Sequence, residues 1–285
     1  MADFLFAEGP IRALREASSP FLDALFVLIT STGGILFFLA AVVLIYWLWD
    51  KRLGLFLSLL LLVSGAVNGY LKALFGMPRP SPAFHTPSPL TSNGFPSGHA
   101  QTSTAFWSGI ALVSRGAWIP VAVLVAALVA FSRVYLGVHF IGDVLGGVAL
   151  GLGLGVAAYV GFRAPLWGRL GVRAKLLLAG LLPAILGGVL TLLGEAASLN
   201  WGLLTGLSVG YVLEGEWVGM RRPPGWGTAA LRLLLGLPVV AGLTLFGLGL
   251  ADPLLVLPLF LLVGLAVSLL LPWAFTRVEA FLAHV

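Results

Sequence analysis

Lys72-Ala73-Leu74-Phe75-Gly76-Met77-Pro78-Arg79-Pro80, Pro96-Ser97-Gly98-His99 and Ser132-Arg133-Val134-Tyr135-Leu136-Gly137-Val138-His139-Phe140-Ile141-Gly142-Asp143 are three polar clusters set in an otherwise apolar chain. Only 9% of the residues are charged, yet these clusters hold Lys72, Arg79, Arg133, His99, His139 and Asp143. Ionisable groups at the edge of hydrocarbon are costly and mark functional sites by default. Cations, imidazoles and a carboxylate gathered in this way point to phosphate chemistry at one face of a membrane.

Working outward, the flanking sequence is built of apolar segments. Hydrophobic residues make up 59% of the 285 and the mean hydropathy is +1.05, which excludes an ordinary soluble domain. A bilayer-crossing helix takes about 20 mostly apolar residues. The pattern predicts an all-α, polytopic transmembrane helical bundle of about nine spans, near 35–50, 53–76, 98–115, 117–132, 140–162, 176–193, 199–217, 229–250 and 253–273. Residues 1–34 form an N-terminal amphipathic or interfacial segment, with 21–33 interfacial or re-entrant. Residues 35–163 hold the clusters, and 164–285 supply additional C-terminal helices. The net charge of +5 comes from basic residues scattered between apolar segments rather than gathered in a stripe, which argues against nucleic acid as a partner. With no cysteine, disulfides and thiolate chemistry are excluded.

On this topology the clusters share one side of the membrane. Lys51, Arg52, Arg115, Arg163, Arg169, Arg173, Lys175, Arg221, Arg222, Arg232 and Arg277 fall on the other, and the positive-inside rule makes that side cytoplasmic. The clusters are then expected to face the periplasm or exterior of a bacterial plasma membrane.

Lys72, Arg79 and Arg133 can surround a phosphoryl group, since guanidinium forks match its oxygens and lysine adds a point charge. Ser97 and Gly98 precede a predicted helix whose first N–H groups attract an anion. Of the two imidazoles, one can attack phosphorus while the other protonates the leaving oxygen. Asp143 follows His139 by one helical turn, close enough to hold the ring's other N–H.

The three clusters match in full, and in order, the K-x6-RP, PSGH and SR-x5-H-x3-D motifs, so the chain resembles the type 2 phosphatidic acid phosphatases of the histidine-dependent acid phosphatase and haloperoxidase superfamily. The resemblance covers roughly residues 35–162. It implies a membrane lipid phosphatase without metal or cofactor, acting on the lipid bilayer's own phosphates: undecaprenyl diphosphate, phosphatidylglycerol phosphate or phosphatidic acid. Carried over, it makes His139 the nucleophile of a phosphohistidine intermediate, assisted by Asp143, and His99 the general acid. Lys72, Arg79, Ser97, Gly98 and Arg133 become phosphate-binding residues. Residues 164–285 inherit no role.

Taken singly these residues have ordinary explanations: a snorkelling Lys72, a loop Arg79, packing histidines. For His85 a solvated loop role, for Asn68 a helix-packing hydrogen bond, and for Glu214 and Glu216 capping or pairing with Arg221 or Arg222 outweigh functional ones. Glu195, Asn200 and His284 carry no assignment. Two rival functions share the motifs: a lipid phosphotransferase using the same site, and a transporter-like lipid-handling protein in which the site is vestigial.

Overall fold

A computed structural model describes residues 2–87, 90–192, 198–250 and 252–282. Glu195, His284 and the side chain of Asn200 lie outside the described residues. Every regular element among those described is helical. The first half runs α1 (Ala2–Leu5), α2 (Gly9–Glu16), α3 (Pro20–Ser31), α4 (Ile35–Leu44), a π turn (Ile45–Trp49), α5 (Lys51–Phe75), α6 (Gly98–Val113), α7 (Ile119–Tyr135) and α8 (Ile141–Arg163). The second runs α9 (Leu166–Arg169), α10 (Val172–Leu192), α11 (Ser198–Trp217), α12 (Trp226–Leu248), α13 (Pro253–Leu265), a π turn (Ala266–Leu270) and α14 (Leu271–Leu282).

The helical bundle is as expected, while nine crossings are not confirmed: among the described residues, four helices are long and apolar enough to span a membrane, Lys51–Phe75, Ile141–Arg169, Trp226–Leu248 and Leu254–Leu282. A fifth span arises if Pro20–Ser31 and Ile35–Trp49, bent by 48° at the Gly33-Gly34 break, count as one. The expected spans at 98–115 and 117–132 are α6 and α7, of 16 and 17 residues, at or just below the short end of the lengths that cross a bilayer. The segments at 176–193 and 199–217 fall on α10 and α11, which do not reach the joint length and apolarity over the described residues. Apolar content alone does not set the number of crossings: α7 exposes Val123, Leu124 and Phe131 as a span would, yet has only 17 residues.

The contacts divide the chain into two compact units, Met1–Ala40 with Leu60–Arg163, and Ala41–Leu59 with Ala164–Val285. In the first, a glycine row on α8 lets it lie against the backbone of α6. A Cβ at Gly147 would stand 2.6 Å from the carbonyl oxygen of Ser97, and one at Gly151 would meet the carbonyl of Gln101 and stand 2.9 Å from the Thr104 Cβ. Small residues at four-residue spacing are how helices approach closely where solvent supplies no hydrophobic drive. The other face of α8 exposes Leu145, Leu152, Val156 and Val160, as lipid contact requires. Across α5 and α6, Asn68 donates to Gln101 Oε1 (2.8 Å) and to the carbonyl of Pro96 (3.2 Å), and Gln101 donates to the Ser64 carbonyl (2.9 Å). Asn68 thus makes the expected packing bond.

The N-terminal segment packs into the same unit. Ile11 is fully buried with Ala100, Ala130, Val134, Phe140 and Val144, and Arg15 forks onto Asp23 at 2.7 and 3.1 Å while the Tyr135 hydroxyl donates to the same carboxylate at 3.0 Å.

In the second unit α11 and α13 meet through Gly206 and Gly264, where a Cβ on Gly264 would lie 2.6 Å from the Leu207 nitrogen. The π turn at Ala266–Leu270 loosens the helical ladder, and there Trp47 Nε1 donates to the Val267 carbonyl (2.8 Å) and the Tyr46 hydroxyl to that of Ser268 (3.2 Å). Arg232, 1% exposed, pairs with Glu279 at 2.7 Å. Glu214 is fully buried, and its partner is Lys51 at 2.6 Å rather than the expected Arg221 or Arg222. Removing one member of such a pair costs about 3–5 kcal/mol.

Gly153, on the α8 face with open space around it, separates packing from propensity. Gly151→Val is expected to lower the melting temperature in detergent by an overpacking penalty of about 1–3 kcal/mol, with loss of phosphate release, while Gly153→Val leaves both nearly unchanged. Equal effects from the two would contradict the α6–α8 close approach.

Candidate active site

Four helix ends build the site: the last turns of α5 and α7 and the first turns of α6 and α8. Lys72 occupies the last turn of α5. Pro96 and Ser97 hold the chain extended before α6 begins at Gly98, because the ring of a proline and the residue before it resist helical geometry. Gly137 has φ +71°, a conformation that favours glycine. A Cβ there would fall 2.7 Å from the carbonyl carbon of Phe84, so the turn carrying His139 closes against the 82–84 helical turn.

The structure brings the predicted residues together. His139 Nδ1 lies 3.1 Å from Asp143 Oδ2, and that same oxygen accepts the Phe140 N–H at 3.0 Å. Arg79 Nη1 lies 3.1 Å from His139 Nε2 and donates to the Val138 carbonyl at 2.7 Å. A guanidinium has only donors, so Nε2 accepts and Nδ1 carries the proton to Asp143. This is the tautomer in which Nε2 presents a lone pair. The ring is 2% exposed, and burial first, then Arg79, Arg133, Lys72 and His99, push its pKa well below the imidazole range. Those four partners are the cations and the second histidine of the motifs.

The cations are held by named acceptors. Lys72 Nζ donates to the carbonyls of Asn93 (2.5 Å) and Gly94 (3.1 Å). Arg79 also grips Ser92, through Nε to its carbonyl at 2.5 Å and through Nη2 to its hydroxyl at 2.9 Å, and burial lowers the pKa of Arg79 against an opposing pull from Asp143. Arg133, 6% exposed, donates from Nη1 to Thr30 Oγ1 at 2.7 Å. Its Nε and the Ser97 hydroxyl are buried with no hydrogen-bond partner among the described residues. Buried donors of this kind are rare in folded proteins, and both suit a phosphoryl oxygen. Gly98 packs tightly, since a Cβ there would stand 3.0 Å from Asn68 Oδ1 and would require that amide to shift. His99 faces the α3–α4 break, where a Cβ on Gly33 would lie 3.4 Å from its Cδ2.

Several contributors were missed in the motif reading. Thr30 and Ser92 anchor two of the cations, and Glu8 accepts the Ser81 N–H at 2.9 Å. Phe6 covers Gly142 and meets Phe95 and Phe140 with centroids 6.5 and 6.1 Å apart. Thr30 is one of three consecutive hydroxyl residues, Thr30-Ser31-Thr32, at the end of α3, and nothing in that run singles it out. His85 braces its own loop: Leu90 N–H donates to Nδ1 at 3.3 Å, leaving Nε2–H for the Pro80 carbonyl at 3.1 Å.

Comparison with known proteins agrees with the motifs. The model of the PAP2 superfamily matches residues 53–167. Over 32 residues the chain is 66% identical to phosphatidylglycerophosphatase B of Bacillus subtilis (strain 168), a match spanning 11% of this chain and 16% of that relative's length. The crystal structure of a transmembrane PAP2-type phosphatidylglycerolphosphate phosphatase from Bacillus subtilis is 31% identical, covers 54% of this chain and 83% of that one, and superposes with a TM-score of 0.48. With its three motifs complete, the chain belongs to the PAP2 superfamily.

The lowered pKa of His139 has a signed consequence. An unfolded chain takes up a proton on histidine near pH 6.5 and the folded chain does not, so this group makes stability fall as pH drops below that value. Histidine-selective NMR is expected to show His139 Nε2 unprotonated at pH 6. Titration at or above pH 6.5 would contradict the burial argument.

Proposed function

We propose that the chain is an integral-membrane lipid phosphatase acting through a phosphohistidine on His139, with phosphatidylglycerol phosphate as its preferred substrate. The observation that carries this reading is the single imidazole whose Nδ1 is fixed by Asp143 while its Nε2 lone pair points to Arg79. Nε2 attacks phosphorus and the bond from phosphorus to the lipid oxygen breaks; burial, then Arg133, Arg79 and Lys72, hold the His99 pKa down to about 3, so His99 takes up a proton as the anionic phosphate offsets those cations and gives it to that oxygen. His99 then takes a proton from water, whose oxygen displaces His139 and releases inorganic phosphate. Lys72, Arg79 and Arg133 stabilise charge on the equatorial oxygens, where positioning and electrostatics supply most of the catalysis. As the phosphoryl group arrives, Arg79 Nη1 exchanges its bond to Nε2 for one to a phosphate oxygen, which frees the nucleophile.

The lipid character of the substrate is supported by the apolar surroundings. Phe75, 51% exposed, lies 5.2 Å from Phe95 by ring centroids, and Phe6 completes the wall. The named activity of the Bacillus subtilis relative that shares 66% identity over 32 residues favours phosphatidylglycerol phosphate over the other lipids the motifs allow. The ends of α5 and α8 away from the site carry Lys51 and Arg52, and Arg163, which by the positive-inside rule supports a non-cytoplasmic site at a bacterial plasma membrane.

His139→Ala is expected to lower phosphate release from phosphatidylglycerol phosphate by more than about 1,000-fold, and Asp143→Asn by about 100-fold or more, with the fold intact by melting temperature. Normal turnover by His139→Ala would end the nucleophile assignment. Because three side chains supply the neutralising charge, EDTA is expected to leave the rate unchanged; inhibition reversed by an added divalent metal would show that a cation is required.

A further inference from the structure

A second concentration of cations lies in the unit formed by Ala41–Leu59 and Ala164–Val285. A cavity of about 310 Å³ there is walled by Trp49, Lys51, Arg52, Tyr211, Arg221 and Arg222, with Asp50 at its edge. Four cations face two carboxylates, Asp50 and the adjoining Glu214, and both acids are engaged. Asp50 Oδ1 accepts the Leu53 N–H at 2.9 Å, and Glu214 accepts from Lys51 Nζ and from Met220 N–H, each at 2.6 Å.

The loop that presents the arginines is pinned. α11 ends where the Val218 and Gly219 N–H groups return to the Glu214 carbonyl at 2.9 and 2.8 Å, with Gly219 at φ +63°, a glycine helix stop. The Met220 bond to the same glutamate fixes the next residue, so Arg221 and Arg222 leave a constrained backbone. Arg222 lies over the Trp49 ring, 5.6 Å from its centroid. Held in this way, planar guanidinium forks recognise a phosphate group at reduced entropic cost.

We propose that this cavity is a second phosphate-binding site, separate from the catalytic one, and that its ligand is the phosphate of an anionic phospholipid headgroup. Its height favours a lipid over a dissolved anion. Trp49, Trp217 and Trp226 are 62%, 73% and 92% exposed, and exposed tryptophans beside spans settle at the membrane–water interface. Two membrane-length helices, α5 and α12, begin here at Lys51 and Trp226. Apolar rings, forked cations and a headgroup-sized recess at that depth fit a phosphodiester with its acyl chains beside the protein.

Arg221 and Arg222 are exposed, so replacing them spares the buried Lys51–Glu214 pair. Full-length protein in detergent is titrated by native mass spectrometry with dioleoylphosphatidylglycerol or dioleoylphosphatidylcholine, and by calorimetry with inorganic phosphate. Arg221→Ala with Arg222→Ala is expected to weaken phosphatidylglycerol binding at least tenfold. Arg169→Ala with Arg173→Ala, an equal loss of exposed charge elsewhere, is expected to retain it, as is Arg79→Ala, with phosphatidylcholine weakly bound throughout. If only inorganic phosphate binding falls in the Arg221 and Arg222 variant, the phosphate site stands and its source is the solution. Equal losses in both double variants would show diffuse surface charge, and no loss of either ligand would show no site; either result overturns the proposal.

Discussion

The carboxylate of Asp143 is the constraint on which the rest of the candidate site depends. It is fully buried, accepts from the Phe140 N–H, and holds the Nδ1 side of His139. Its own backbone carbonyl accepts the Ser97 N–H at 2.9 Å. One residue therefore sets the tautomer of one imidazole and tethers the turn that leads to the other. Burying a carboxylate is expensive unless it is paired and hydrogen-bonded; here Oδ2 makes both bonds, which fix the geometry of the histidine, while Oδ1 is buried with no hydrogen-bond partner among the described residues.

That tether requires α6 and α8 to lie nearly backbone to backbone, which the glycines of α8 allow. Packing and chemistry are thus one arrangement. The same small side chains that let the helices meet put His99 at the start of one and His139 and Asp143 at the start of the other. Arg79 then bridges the remaining gap from its loop, bonded to Ser92 on one side and to the Val138–His139 turn on the other.

Much of this was legible in the chain. The candidate catalytic cluster could be read because polar residues stand out against apolar sequence, and because a four-residue step puts His139 and Asp143 on one face at a helix start. The helical class followed from composition. The number of crossings did not: α7 is as apolar as a span, and only its ends, set by Arg115-Gly116 and by the turn at Gly137, reveal how short it is. Gly147 and Gly151 looked like general glycine richness, since nothing in a sequence tells which face a glycine occupies. Thr30 and the partner of Glu214 were hidden for a related reason. Arg133 finds its acceptor 103 residues away and Glu214 its cation 163 residues away, distances over which no local pattern operates.

The most direct measurement is to quench the full-length protein within milliseconds of mixing with radiolabelled phosphatidylglycerol phosphate, digest it under alkaline conditions and locate the label by mass spectrometry. The account predicts an acid-labile phosphate on His139 that appears and decays within the turnover time. Label on any other residue, or none while phosphate is released at full rate, would contradict it.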